Sequence, residues 1–348
     1  MKAAYDVVVV GGGAMGAATA HALAMRGQRV AMVEQFSAGH DRGSSHGASR
    51  IFRLAYQDAR YVPLAQRALT LWRELSEECG EPLLTMTGGV DHGPAEVLDE
   101  IAAGLAANGA TSRLLSADEA MQRWAGMHFE GPVLLQPDAG RVDADATVLA
   151  LHRRAAELGA DVLTGEQVHD LRVTDDTVEV ITASRTIVAG VVVVAAGAWL
   201  PRLATRLGLA EELPTLVVTQ EQPAYFDAPG AELWPVFVHY ADRSHYGLFT
   251  PGVGVKVGEH GTGVVVDPDA RPPADPDRLR RLSSYVERWL PGASPAPHRV
   301  DTCLYTTTPD ERFVLRRFGR LVVCSACSGH GFKFVPAIGE QVALLASE

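Results

Sequence analysis

Tyr5-Asp6-Val7-Val8-Val9-Val10-Gly11-Gly12-Gly13-Ala14-Met15-Gly16 is the stretch that decides the fold. A β-branched run leads into G-x-G-x-x-G at Gly11, Gly13 and Gly16. The first glycine lets the chain turn sharply, the second lets backbone approach a pyrophosphate, and the third lets a helix pack close to the strand. Small and helix-forming residues then run to Arg26, and Gly27 sits where a helix-ending glycine belongs. Arg29 to Val33 reads as a second apolar strand, closed by Glu34 eighteen residues past Gly16. The pattern predicts a βαβ unit of Rossmann type, with phosphates held at the helix N-terminus by Gly11, Gly13, Ala14, Met15 and Gly16. Glu34, with Gln35 beside it, is placed to meet ribose hydroxyls, and its charge disfavours the 2′-phosphate of NADP. Glu34 also reads as an exposed strand-end carboxylate. NAD and FAD share the fingerprint. The motif opens the chain, and a second buried strand ending at Gly197 comes long afterwards, which favours an FAD domain interrupted by insertions.

Outward from this unit, Pro63 to Gly80 predicts a helix with Leu64, Ala68, Leu71, Trp72 and Leu75 on one face. Strands are predicted near 86–92 and 132–136, with helices over 94–107 and Asp145 to Gly159. Ile187 to Val194 is continuously apolar, as parallel strands covered on both faces are. Residues 215–265 alternate and are rich in Val, Tyr and Phe, which predicts antiparallel strands. A helix over Asp277 to Leu290, a parallel-type strand at Leu321 to Val323 and a closing helix over Val335 to Leu345 follow. The expected fold is α/β: an FAD-binding domain from 1–83, 145–214 and 308–348, and a mixed or antiparallel-sheet substrate domain from 84–144 and 215–307.

A chain of 348 residues is long enough for two cores. A net charge of −11 makes nucleic acid an unfavourable partner. The longest apolar run, Ile187 to Ala198, is too short to cross a bilayer. Lys2 and Asp6 bracket a start that runs straight into a core strand, so no cleaved leader is expected, and the cytoplasm is the expected compartment. Four scattered cysteines do not form a disulfide framework, and Cys324 and Cys327, three apart in a continuing strand, are expected to face opposite ways as structural residues.

Several single residues carry two readings each. Arg50 and Arg53, three apart in a loop after the nucleotide unit, are either surface arginines or groups facing a ligand. Lys256, alone in the apolar Gly254-Val255-Lys256-Val257-Gly258, lies at a domain edge or against an anion. Taken alone, Cys303 is core filler, Tyr246 a core tyrosine, His260 a loop histidine and Lys333 a solvated lysine.

Five blocks in order change that balance: Gly43-Ser44-Ser45-His46-Gly47-Ala48-Ser49-Arg50-Ile51-Phe52-Arg53, Tyr61-Val62-Pro63-Leu64, Lys256-Val257-Gly258-Glu259-His260, Cys303-Leu304-Tyr305-Thr306 followed by Pro309-Asp310, and Ser328-Gly329-His330-Gly331-Phe332-Lys333. Through them the whole chain resembles the sarcosine oxidase and N-methyltryptophan oxidase family of D-amino-acid-oxidase-like flavoproteins. The resemblance implies FAD, tethered by a thioether from Cys303, and an oxidase of secondary amines such as N-methyl amino acids that makes hydrogen peroxide from O2. It implies that Arg53 and Lys333 clamp the substrate carboxylate and that Arg50 and His46 face the flavin. Lys256 is implied beside flavin N5, where it promotes reaction with oxygen, and Tyr246 and His260 are implied to line the pocket. Ser44, Val168, Gly197, Gly329, His330, Gly331 and Phe332 join the expected cofactor contacts. Ser45 stands where the family often has a second histidine, so one flavin contact is expected to differ. Members continue past the point that matches Glu348, so the far wall of the pocket is expected to differ too. The expected partners are a small amine or amino acid and O2, with no membrane or nucleic acid, and a monomer is expected. Two other functions stay open: a flavin-dependent tailoring oxidase or dehydrogenase of a cyclic imino acid, and a non-catalytic flavin-binding partner of a larger complex.

Overall fold

The computed structural model describes residues 4–348. Lys2 and the first three residues of the 1–83 segment lie outside the described residues.

The opening run forms β1 (Tyr5–Val10), α1 (Ala14–Met25) and β2 (Val30–Glu34). β1 pairs in parallel with β2 and with Thr186–Val194, Asp161–Thr164 continues in parallel beyond β2, and Leu321–Ser325 lies in parallel beyond Thr186–Val194. These strands belong to one eight-stranded sheet. Its edges add antiparallel strands to this parallel core. Val314–Phe318 pairs antiparallel with Leu321–Ser325, and the hairpin Val168–Val173/Val178–Thr182 pairs antiparallel with the first half of Thr186–Val194. That half carries a half-buried Val188 and Gly190, whereas Val191 to Val194 are fully covered.

α1 is almost entirely buried because its sequence is nearly all small residues. A Cβ at Gly16 would stand 1.8 Å from the Gly11 carbonyl oxygen, and one at Gly339, on the closing helix Val335–Ser347, 2.7 Å from Ala18. The third glycine of the motif therefore acts as the sequence predicts, by close helix–strand packing.

The second large sheet is also eight-stranded. It runs in space from Pro297–Val300 through Ala224–Phe226, Gly254–Glu259, His245–Thr250 and Val236–His239 to Gly89–His92, Val133–Gln136 and Arg113–Leu115. All pairings are antiparallel except Val236–His239 with Gly89–His92, where two chain segments far apart in sequence meet in parallel. The helix Pro276–Trp289 covers one face with Leu282, Tyr285 and Val286. Each such fully buried apolar side chain contributes about 1.5–3 kcal/mol of transfer free energy.

Two three-stranded sheets connect the layers. One joins β3 (Ser49–Phe52) and Leu84–Met86 to Gly140–Asp143; the other joins Val264–Val265 and Cys303–Thr307 to Val217–Glu221. β3 corrects the loop expected around Arg50. Its four residues are too few to show a period, and their partner lies some ninety positions away.

α2 (Tyr61–Cys79) begins two residues before the predicted Pro63. It buries Val62, Ala65, Ala68, Leu69, Trp72 and Leu75, while Leu64 and Leu71 are only half-buried at the stripe's edge. The Trp72 indole N–H donates to the Lys333 carbonyl at 2.8 Å, which pins the C-terminal turn to this helix. The other predicted helices form as Ala95–Ala107 and Ala144–Glu157. Cys324 is buried in its strand, which ends at Ser325. Cys327 thus lies beyond the strand rather than on its opposite face, and its Sγ accepts from the Thr306 N–H at 3.4 Å. All four cysteines are free. Among the described residues no helix is long and apolar enough to cross a membrane.

Candidate active site

One cavity of about 600 Å³ begins at the glycine turn and runs between the two large sheets. Its first end is built by backbone. Gly11 has φ of 104°, and a Cβ there would stand 2.4 Å from the Ala195 carbonyl oxygen. The Ala14 N–H, at the start of α1, donates to Ser45 Oγ at 3.0 Å, and a Cβ at Gly13 would crowd the same hydroxyl at 3.1 Å. Glu34 is 5% exposed, which removes the reading of a solvated strand-end carboxylate. Its two oxygens accept from the Gly12 N–H at 2.7 Å and the Phe36 N–H at 2.9 Å. His152 Nε2 lies 2.6 Å from the Gly12 carbonyl, bracing the turn from behind. Ser44 lines the cavity, and its Oγ is buried without a hydrogen-bond partner among the described residues, a position that asks for a ligand atom. Gln35, Val168 and Gly197 lie on the same wall, and Gly16 does not, being spent on packing. A backbone-lined turn, a helix N-terminus, an acidic group at the end of β2 and an unpaired hydroxyl together fit a dinucleotide.

Gly11→Ala is therefore expected to lose bound flavin, because φ of 104° is strained for any side chain and the new methyl meets backbone rather than a movable side chain. Stability should fall by about 1–3 kcal/mol. Thermal denaturation and the ratio of flavin to protein absorbance test both parts.

Midway along the cavity, β3 delivers Arg50. Its guanidinium donates to the carbonyls of Ser49, Ser44 and His46 at 2.9, 3.0 and 2.6 Å, and lies over the Phe332 ring. The two His46 ring nitrogens face the carbonyls of Gly43 at 2.9 Å and Thr302 at 3.1 Å. Burial, then the Arg50 charge, pull the His46 pKa below its ordinary value. Lys256 is 5% exposed; its ammonium donates to the Ser49 carbonyl at 3.4 Å and lies 5.7 Å from the centre of the Tyr225 ring. Burial and the neighbouring Arg50 push its pKa from 10.5 down to about 7. Cys303 starts its strand opposite Glu221 and faces the same cavity. Burial pushes its thiol up, and Arg50 and Lys256 act in the other direction.

The far end is cationic. Arg53, just past β3, donates from Nη1 to Asp91 Oδ1 at 2.8 Å and to the Tyr240 hydroxyl at 2.9 Å. Lys333 is 6% exposed, and its ammonium donates to the Tyr56 hydroxyl at 2.7 Å and the His330 carbonyl at 2.9 Å, both neutral groups. Burial, then the Arg53 charge, hold its pKa well below the ordinary lysine value. The Tyr56 hydroxyl also lies 3.2 Å from His330 Nδ1, and His330 Nε2 lies 3.0 Å from the Glu311 carbonyl. His260 and Tyr305 both crowd Gly329, where a Cβ would stand 2.7 and 2.3 Å from them. Burial and Lys333 lower the pKa of His260 to about 4 and of His330 to about 3, so both rings are neutral at pH 7. Tyr246 is packed against Gly258, and burial pushes its phenol up.

Every residue singled out from the sequence except Gly16 thus lies on this one cavity: Arg50, His46, Lys256 and Cys303 together, and Arg53, Lys333, Tyr246 and His260 beyond them. Gly329, His330, Gly331 and Phe332 form the turn that carries Lys333. Sequence reasoning missed Tyr56, Asp91, Gln136, Tyr240 and the bond from the helix to Ser45. Tyr56 was within reach, lying three residues past Arg53, between the first two blocks.

The profile described as DAO: FAD dependent oxidoreductase matches residues 6–345. The chain is 32% identical to the monomeric sarcosine oxidase of Bacillus sp. (strain NS-129), over 100% of this chain and 94% of the relative. It is 30% identical to the N-methyl-L-tryptophan oxidase of Yersinia pestis (strain Pestoides F), over 99% and 95% of the two chains. Among solved structures, the open form of NikD, an unusual amino acid oxidase essential for nikkomycin biosynthesis, has a TM-score of 0.88 at 30% identity, over 100% of this chain and 95% of that one. With a cradle fit for a dinucleotide, a matching profile over almost its full length and relatives of this identity, the chain belongs to the DAO family of FAD-dependent oxidoreductases.

Proposed function

We propose that this flavoenzyme oxidises the C–N bond of a secondary-amine amino acid, such as an N-methyl amino acid, and passes the electrons to O2 to give hydrogen peroxide. The observation that carries the reading is Lys333: a buried amine bonded, among the described residues, only to neutral groups, beside Arg53, in the cavity that starts at the dinucleotide cradle. The names of the relatives supply the amine class. FAD, held by the Gly11–Gly13 turn, the first turn of α1, Glu34 and Ser44, supplies the two-electron acceptor.

The protein's own groups bind and orient. Arg53 and Lys333 receive the carboxylate with charge-assisted hydrogen bonds. His260, Tyr246 and Tyr305 wall the amine side, and neutral His260 can accept a hydrogen bond from the amine but adds no charge. Fixing the substrate in this way lowers the barrier by orientation rather than by a strong base. Lys256, with its pKa near 7, can hold or release a proton in the working pH range. Arg50, bonded to three carbonyls, keeps a fixed positive charge on the same wall. The proposal keeps the two-domain division at 83/84, 144/145, 214/215 and 307/308, supported by the strands of the first large sheet falling in one set and those of the second in the other. A monomer is proposed on the relatives' printed names.

Mixing the protein anaerobically with a panel of N-methyl and cyclic amino acids should bleach the flavin, and admitting air should yield peroxide. Failure to bleach with every amine would leave the non-catalytic flavin-binding reading. Bleaching without peroxide would favour the dehydrogenase.

We further propose that Cys303 carries the flavin as a thioether. Support comes from its place on the cavity wall beside Arg50 and Lys256. Acid precipitation should leave the yellow colour in the pellet, and Cys303→Ser should send it to the supernatant. Colour in the supernatant of the parent protein would sink the attachment while leaving the oxidase reading standing.

A further inference from the structure

Behind the cationic pocket lies a third charge that does not reach the cavity wall. Asp91, in the strand Gly89–His92, is 1% exposed. Its Oδ1 accepts from Arg53 Nη1 at 2.8 Å and faces the Tyr240 hydroxyl at 3.4 Å. Its Oδ2 accepts from Gln136 Nε2 at 2.8 Å. Gln136 is itself fixed, because its Oε1 accepts from the Leu54 and Ala55 N–H groups at 2.9 and 3.1 Å, and these directly follow Arg53. The amide can point only one way, with its N–H toward Asp91.

This buried network offsets part of the clamp's charge. Burial pushes the Asp91 carboxyl up from its ordinary value, with Arg53 and the Gln136 donor acting against it. Three donors on two oxygens favour the carboxylate form against that burial. Of the two cationic groups of the clamp, Arg53 is paired with Asp91 and Lys333 is bonded to a phenol and a carbonyl. His260 and His330, with pKa values about 4 and about 3, add no charge at pH 7. Lys333 is thus the clamp group with no carboxylate behind it, in a desolvated site where an uncompensated second anion is costly. Arg53's hydrogen bonds all leave from Nη1, so its Nε and Nη2 face stays available to a ligand.

We infer that Asp91 is a specificity-determining positioning residue: from behind Arg53 it offsets one of the clamp's two cationic groups and restricts the substrate to monocarboxylic amino acids. This rests on the reading that Arg53 and Lys333 receive the substrate carboxylate. A bare arginine–lysine pair would serve a diacid equally well; a pair with a buried carboxylate behind it does not.

Acetate and malonate, titrated into the flavin-loaded enzyme at pH 7 and followed by the flavin absorbance, test the inference without turnover. The parent enzyme should bind acetate at least tenfold more tightly than malonate. Asp91→Asn keeps the shape and removes the charge, and should move that ratio at least tenfold toward malonate. A merely structural role would weaken both ligands together and leave the ratio in place. An unchanged ratio in a folded, flavin-loaded Asp91→Asn protein overturns the inference. So does a parent enzyme that binds malonate as tightly as acetate, a result that needs no variant. If neither ligand perturbs the parent's flavin, the carboxylate clamp falls and this inference with it, a failure distinct from loss of selectivity alone.

Discussion

Lys256→Met is expected to slow oxygen consumption by about 10²–10³-fold, the usual consequence of removing one fixed charge-stabilising group from a water-excluded site. Amine-driven bleaching of the flavin under nitrogen should change far less. The expectation follows from geometry: the ammonium is buried, reaches one carbonyl at 3.4 Å and shares its wall with Arg50 and Cys303. Methionine keeps the length and the apolar packing and deletes only the charge. Stability gives an independent readout. The folded pKa is about 7 against an ordinary 10.5, so between these values the unfolded chain binds more protons than the folded one. Parent stability must therefore rise with pH across that window, and the penalty of the buried charge is fully present below it. The variant lacks this dependence. Its melting temperature should exceed the parent's most at pH 6.5 and least at pH 10. A variant less stable than the parent at pH 6.5 would mean that the ammonium is paired rather than isolated. An oxygen rate within a few-fold of the parent's would remove Lys256 from the oxygen step.

The nucleotide end was legible because its logic is local. A strand, a glycine turn and a helix follow one another within twenty-five residues, and each glycine's task is set by its immediate neighbours. The resemblance supplied Arg53 and Lys333, but no local pattern brings them together. They meet because Trp72, on α2, holds the Lys333 carbonyl, and because Leu54 and Ala55 are tied to Gln136. Asp91 was illegible for the same reason. In Gly89-Val90-Asp91-His92-Gly93 it reads as a solvated acid, and it is buried because its strand is flanked by Val133–Gln136 on one side and, in parallel, by Val236–His239, more than a hundred residues away, on the other. Likewise β3 gained its strand character from Gly140–Asp143 and not from its own four residues.

The paired substitutions at the clamp separate binding from folding. Lys333→Met and Arg53→Met should each lower kcat/KM by about 10²–10³-fold, since removing one partner of a buried charge-assisted pair costs about 3–5 kcal/mol. Their effects on stability should have opposite signs. Lys333 is held in the folded protein against its own desolvation, with a pKa well below the ordinary value and only a phenol and a carbonyl as partners. Methionine there should leave the fold as stable as before, or more so. Arg53 is the counter-ion of a carboxylate that is 1% exposed. Removing it strands Asp91, and the protein should lose about 3–5 kcal/mol at neutral pH, where that carboxyl would otherwise be charged. Arg53→Met with Asp91→Asn should recover most of that stability without recovering activity, because the stranded charge goes but the clamp stays broken. Urea titrations of the four proteins, run beside amine-dependent peroxide assays, measure both quantities. If the double variant regains activity along with stability, Arg53 serves the fold alone and the carboxylate must bind elsewhere.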